Sequence, residues 1–355
     1  MSKPILAAIL SCQGLKLTEN EKKLFSAYNP LGITLFSRNL QNENQIKSLT
    51  DEIKNVINRD DVLIGIDEEG GRVSRLGKAY GKSYVSAEIL GQKPLKFSKI
   101  HATLIADDML KSGINVNYAP VVDTKTIPES PVLSGRCLNV NQNKIVKYAK
   151  AIADTYCQSA ICPCIKHLPG HFNILKDPHL EKLEVISSLE EIKNQISYQK
   201  NFKKYPLAMT SHILLTAIDD KFPVTMSPKC VSEIIRGYLE YDGFLLSDAL
   251  DMHALKGIIR EKAHKSWDAG IDAVCYCGAK EADMFELCQE KRFLTEKALI
   301  RFAKIKKVIH NTPKQNDISG LRQIYDNEFS KMSNMEYQYD ATEVLHQMLE
   351  KGEKV

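Results

Sequence analysis

A single tryptophan, aromatics at 7% and no block of basic residues interleaved with aromatics leave this chain without the stacking platforms and cationic stripes of a nucleic-acid binder. Its 48 Lys plus Arg against 44 Asp plus Glu give a formal charge of only +4 over 355 residues. No apolar run approaches the ~20 residues needed to cross a bilayer. The Cys-x-x-Cys spacing of a structural zinc site is missing. The nine cysteines are scattered and include two Cys-x-Cys pairs, Cys162/Cys164 and Cys275/Cys277, each in an apolar run. Alternation puts each pair on one face of a strand, so buried reduced thiols are expected, which points to the cytoplasm. The short run from Pro4 to Leu10 is at the minimum length for a signal core, has a single lysine as its basic flank and a large Leu10 where a lipoprotein signal prefers a small residue, and is expected to be a first strand. EEGGRVSRLG (68 to 77) has glycines but not G-x-G-x-x-G after a strand, which argues against a dinucleotide fold. There is no internal repeat and no low-complexity segment.

What is present is a regular alternation. Short apolar runs occur at 4 to 10, 32 to 36, 62 to 66, 114 to 122, 162 to 167, 206 to 212, 243 to 248 and 272 to 277. Between them lie segments of helical period, among them 42 to 57, 99 to 113, 143 to 158, 188 to 202 and 230 to 240. Strands alternating with helices in this way predict an α/β fold, a single-domain (β/α)8 TIM barrel over residues 1–311. From 312 to 355 the chain is charged and has no strand candidate, so a peripheral helical extension, partly mobile, is expected.

In such a barrel the chemistry sits at the C-terminal ends of the strands. Polar residues fall there: Asp67, Asp123, Lys166, His167, His212 and Asp248. In GFLLSDALDM the alternation puts Phe244, Leu246 and Asp248 on one face, so an acid follows apolar side chains into the barrel mouth. It is a candidate nucleophile or metal ligand, whereas Asp251 fits the first turn of a helix. The segment CIKHLPGHFNILKDPH (164 to 179) allows two readings. His167, His171, His179, His212 and Asp248 have the side chains of a zinc hydrolase, although barrel metal sites usually place His-x-His on a strand and lysine precedes His167 here. Alternatively Asp177 and His179 act as a unit: Pro178 keeps Asp177 extended, the two side chains share one side, and the carboxylate raises the imidazole pKa to suit a proton donor.

Lys166-His167-Leu168-Pro169-Gly170-His171-Phe172 followed by Asp177-Pro178-His179 resembles K-H-F-P-G-H-G followed by D-S-H, the signature of the bacterial β-N-acetylglucosaminidases of glycoside hydrolase family 3. GIDEEGGRVSRL (65 to 76), SGRCL (134 to 138), YDGFLLSDALDM (241 to 252) and LGITLFSRN (31 to 39) resemble further segments of that family in order, over about residues 4 to 310. The resemblance implies that Asp248 is the catalytic nucleophile and His179 the general acid/base, with Asp177 as its partner. It implies that Asp67, Arg75, Arg136, Lys166 and His167 bind the hydroxyls of a terminal N-acetylglucosamine. The implied activity is retaining hydrolysis of β-linked N-acetylglucosaminides without metal or cofactor, on muropeptide fragments in cell-wall recycling, with phosphate left open as an acceptor. No nucleic-acid or membrane partner is implied, and a non-catalytic sugar binder and a metal-dependent hydrolase remain the alternatives. The chain departs from the pattern at Phe172 (glycine), Pro178 (serine), Ala249 (aspartate) and Cys137 (serine). Phe172 and Pro178 are expected to stiffen the loop that carries His179, with Phe172 filling space a glycine leaves open.

Overall fold

The computed structural model describes residues 3–125, 133–172, 183–252 and 254–330. Eight parallel strands close into a barrel in strict chain order, each paired with the next and the last with the first. They are β1 (Leu6–Ser11), β2 (Pro30–Leu35), β3 (Leu63–Ile66), β4 (Val116–Asn117), β5 (Cys162–Leu168), β6 (Leu207–Thr210), β7 (Phe244–Ala249) and β8 (Ala273–Cys275). The fold is a (β/α)8 barrel, as the alternation implies, and each expected strand is present. The largest difference is at 114 to 122, where only two residues form β4. Pro120 has no N–H to give to a ladder, and side chains take over: the Asn115 side chain accepts from Ile64 N (2.8 Å), and that of Asn117 bonds Glu68 N (3.1 Å) and Glu68 O (2.9 Å).

Around the barrel lie the helices α1 (Glu19–Tyr28), α2 (Glu43–Ile57), α3 (Leu95–Lys111), α4 (Gln142–Gln158), α5 (Leu189–Ile196), α6 (Cys230–Tyr238, wound as a π-helix), α7 (Ile259–Asp268), α8 (Glu281–Gln289), α9 (Glu296–Ile309) and α10 (Ile318–Phe329). Their starts are written in the sequence. Thr18 and Ser188 form capping boxes with Glu21 and Glu191, and Asn42 and Asn141 cap α2 and α4, satisfying N–H groups that a first turn leaves open. The helix expected over 188 to 202 ends at Ile196 and continues as the 3-10 turns Ser197–Phe202. Inside the barrel the Tyr118 hydroxyl bonds Thr34 Oγ1 at 2.7 Å, at a point only 2.3 Å from where a side chain on Gly65 would begin. Glycine there is what lets the tyrosine fill the interior.

The cysteines are all unpaired, most of them buried. Among the described residues no helix is long and apolar enough to cross a membrane. Past the barrel, α10 lies across α3: Phe329 stacks edge-on to Phe97 (5.4 Å between centroids) and Lys93 pairs with Glu328 at 2.7 Å.

Candidate active site

Strands β3, β5 and β7 end in the charged residues that define the mouth. Asp67 follows β3 directly, and the chain then folds into a short hairpin, Glu68–Gly70 against Val73–Ser74, which brings Arg75 back beside it. Arg75 Nη1 lies 2.9 Å from Asp67 Oδ2, and Lys166 Nζ from β5 lies 2.7 Å from Asp67 Oδ1. The same ammonium is 2.7 Å from Glu69 Oε1, and Arg136 holds Glu69 as a fork, Nε to Oε2 and Nη2 to Oε1, both at 2.9 Å. One chain of charges thus runs Arg75, Asp67, Lys166, Glu69, Arg136. Paired, fork-shaped contacts of this kind fix side chains whose flexibility would otherwise cost binding free energy.

Glu69, Arg75 and Lys166 are buried and Asp67 and Arg136 partly so, and the ionisation of each depends on the others. Burial alone would raise the Asp67 and Glu69 carboxyls; Lys166 and Arg75 hold Asp67 below its usual range, and Arg136 and Lys166 hold Glu69 far below. Burial would likewise depress Lys166 and Arg136, and the carboxylates keep both raised. All five are charged near neutrality, three cations against two anions.

Strand β5 slips register against β6 between Lys166 and Leu168, so Lys166 and His167 both reach the mouth, which strict alternation would forbid. His167 Nδ1 contacts Asp123 Oδ2 at 2.8 Å and its backbone N–H reaches the same oxygen at 3.1 Å. The other Asp123 oxygen takes the His171 N–H at 2.7 Å and faces His171 Nδ1 at 3.3 Å. With Nδ1–H given to Asp123, His167 Nε2 carries the lone pair. It lies 3.8 Å from Asp248 Oδ2 at the end of β7. Burial and the neighbouring His171 push His167 down to about 4, against the pull of Asp123, so it is neutral at pH 7. Asp248 is opposed by burial but held down to about 2: in the acid range where it titrates, His167 and His212 carry charge beside it, and the Ala249 N–H (2.8 Å) and Lys166 favour the carboxylate at every pH. It is an ionised carboxylate in a largely enclosed mouth, 17% exposed. His212 Nε2 contacts Ala249 O at 3.0 Å, fixing the backbone that carries Asp248.

Asp67, Arg75, Arg136, Lys166, His167 and Asp248 therefore meet at one end of the barrel. Asp177 and His179, the expected proton-transfer pair, lie outside the described residues. One member of the constellation was not among the sequence candidates, Glu69, hidden inside a glycine-rich run; Asp123, expected there only as a strand-end polar residue, is the acceptor for His167 and His171. His171 is a loop-ordering residue here through its N–H to Asp123. Asp123, His167 and His171 also place possible ligand atoms within 4.8 Å of one another. In this arrangement four N–H groups converge on one carboxylate, and a metal would have to displace two of them. Phe172 has φ 54°, the left-handed region that favours glycine, and its ring is packed into the hydrophobic core.

The family model "Glycosyl hydrolase family 3 N terminal domain" matches residues 6–306. The chain is 30% identical over 285 residues to a protein named beta-hexosaminidase from Alkalilimnicola ehrlichii, covering 77% of this chain and 81% of that one. It is 30% identical over 275 residues to beta-hexosaminidase A of Pseudoalteromonas piscicida, covering 70% of this chain but only 46% of that longer relative. In structure it is similar to NagZ from Neisseria gonorrhoeae in complex with N-trifluoroacetyl-D-glucosamine, with TM-score 0.81 and 24% identity, covering 91% of this chain and 98% of that one.

Proposed function

The chain belongs to glycosyl hydrolase family 3, and from that premise we propose that it is a retaining exo-β-N-acetylglucosaminidase using Asp248 as nucleophile. The observation that carries this reading is the ionised Asp248 carboxylate, 3.8 Å from His167 Nε2, at the mouth that also holds the charged chain around Lys166. A nucleophile has to be deprotonated when it attacks, and a carboxyl held down to about 2 is so at any physiological pH.

A sugar hydroxyl needs one donor and one acceptor, and the mouth offers both. Lys166 gives two N–H groups to Asp67 and Glu69, and no described residue takes up the third. His167 Nε2 and the Asp67 carboxylate are acceptors. In the first step Asp248 attacks the anomeric carbon while His179, oriented by Asp177, protonates the departing glycosidic oxygen. In the second, neutral His179 takes a proton from water, whose oxygen attacks the anomeric carbon and releases Asp248. A histidine donor replaces the repulsion of two carboxylates with attraction between imidazolium and carboxylate. The curated relatives named beta-hexosaminidase support the N-acetylhexosaminide class. Muropeptide fragments are the substrate we propose, acted on in the cytoplasm, by a catalytic unit over residues 1–311 with 312–355 as an extension and no catalytic metal.

The test is release of nitrophenol from a β-N-acetylglucosaminide after exhaustive chelation. Wild type is expected to retain its rate, Asp248→Ala to lose at least about 10³-fold and His179→Ala about 10²-fold or more. A full rate in Asp248→Ala removes the nucleophile assignment, loss of activity on chelation favours the metal hydrolase, and an inert wild type that still binds N-acetylglucosamine is a sugar-binding protein. Adding phosphate and analysing the product separates free sugar from sugar 1-phosphate.

A further inference from the structure

The hairpin that carries Asp67, Glu69 and Arg75 is held from behind by the C-terminal helix. Tyr325 on α10 is buried, and its hydroxyl oxygen accepts from Val85 N at 3.0 Å and contacts His101 Nδ1 at 2.9 Å. The His101 ring in turn bonds the Glu69 backbone as donor, while burial pushes its pKa down to about 3, so the ring is neutral and carries one proton. One proton arrangement satisfies every group: Val85 N–H to the Tyr325 oxygen, Tyr325 O–H to His101 Nδ1, and the remaining ring N–H to the Glu69 backbone. The fit is close. Gly70 has φ 92°, and a side chain there would begin 3.0 Å from His101 Cε1 and 2.3 Å from Val85 O. Tyr84 closes the other side, its ring edge-on to both His101 (5.5 Å) and Tyr325 (6.1 Å) and its backbone oxygen accepting from Gly71 N at 2.8 Å.

We propose that Tyr325, on a helix beyond the segment matched by the family, is a positioning residue for the sugar-binding hairpin, acting through His101 on the backbone of Glu69. Helix α10 then sets where Glu69 holds Arg136 and Lys166, and the extension is part of the substrate site without touching substrate. This deepens the proposed function, because the hydroxyl-binding role of the hairpin rests on that reading; the physical coupling does not.

Hydrogen exchange on the full-length protein tests the coupling without any assay of activity. In wild type the amides of 68 to 76 and of 318 to 329 are expected to open together. In Tyr325→Phe, which keeps the ring and removes only the hydroxyl, exchange across 68 to 76 should rise about 5-fold or more, the size expected for one buried hydrogen bond. KM for the β-N-acetylglucosaminide should rise about 3- to 10-fold with kcat within about 2-fold, because binding geometry and not chemistry is altered. Glu328→Gln, which loosens the same helix at its surface ion pair with Lys93, should leave KM alone. A merely structural helix would lower the melting temperature of both variants with no change in KM. The proposal is overturned if Tyr325→Phe leaves exchange across 68 to 76 at the wild-type rate, or if α10 opens in wild type while the hairpin stays protected. An inert wild type would defeat the proposed activity and leave the exchange result standing.

Discussion

A carboxylate that takes two N–H groups from Arg136 and contacts Lys166, while itself only 7% exposed, has almost no water to replace a lost partner. Removing one side of a buried ion pair costs more than the pair contributes, because the other charge stays buried. Glu69→Gln removes the anion that Lys166 and Arg136 share and leaves them the more distant Asp123 and Asp248 charges besides Asp67, so it is expected to lower stability by about 3 kcal/mol and to raise KM for the terminal sugar at least about 10-fold. Urea unfolding and steady-state kinetics on the same preparation read both effects. Unchanged stability would mean that water already solvates the two cations. Glu69 was not legible in the sequence, because the candidate anions Asp67, Asp177 and Asp248 already matched the cations Arg75, Arg136 and Lys166 in number. Its position in Glu-Glu-Gly-Gly gave no hint of burial, because glycine-rich turns usually expose their carboxylates. Phe172 is the reverse case. Its departure from glycine was visible, but only the structure shows that core packing of the ring accompanies a left-handed backbone.

At the scale of elements, seven of the eight strands were legible because both faces of a parallel barrel strand are buried and read as continuous apolar runs. The strand at 114 to 122 read as nine residues and pairs over two, since side-chain amides and Pro120 do not register in a hydrophobic pattern. The hairpin after β3 was not read as structure at all. It is organised by Glu68, fully buried, which takes Arg75 N at 2.8 Å and Leu76 N at 2.7 Å and bonds the Ser74 hydroxyl. Burial pushes its carboxyl from 4.5 up to about 7, despite those donors. A carboxyl with a raised pKa binds its proton more tightly folded than unfolded, so its contribution is present at low pH and is lost as pH rises from about 4.5 through about 7. Glu68→Gln keeps an acceptor for the two backbone N–H groups and cannot ionise. The variant is therefore expected to gain stability relative to wild type as pH is raised from 5, with the urea midpoint difference growing to about pH 7 and level from there to pH 8. A difference independent of pH would show that Glu68 is already ionised in the fold at pH 5.

Across the whole molecule the opposite slope dominates in acid, and it comes from imidazoles. His101 is pushed down to about 3 and His167 to about 4, and His212 is lowered as well, each chiefly by burial. In the unfolded chain these rings protonate near 6.5, so between about 6.5 and about 4 the unfolded state binds more protons than the folded one. Stability therefore falls as pH drops through that window, by up to three protons' worth from these rings, offset in part by the one that Glu68 holds. Below it, the carboxylates whose pKa is depressed in the fold, Asp67, Glu69, Asp123 and Asp248, begin to take up protons and stability falls further. Above about 7 the imidazole and Glu68 contributions both fade, so the curve flattens. The expected profile is a urea midpoint that climbs from pH 4.5 to 6.5 and is level to pH 8. His101→Phe removes one of the three imidazole protons while the opposing Glu68 proton stays, so its profile should be shallower by about half even where the variant is less stable. A wild-type midpoint that is flat from pH 4.5 to 6.5 would mean that these rings are charged in the folded protein, and with a charged His101 the hydrogen-bond path from Tyr325 to Glu69 could not run in the direction derived above.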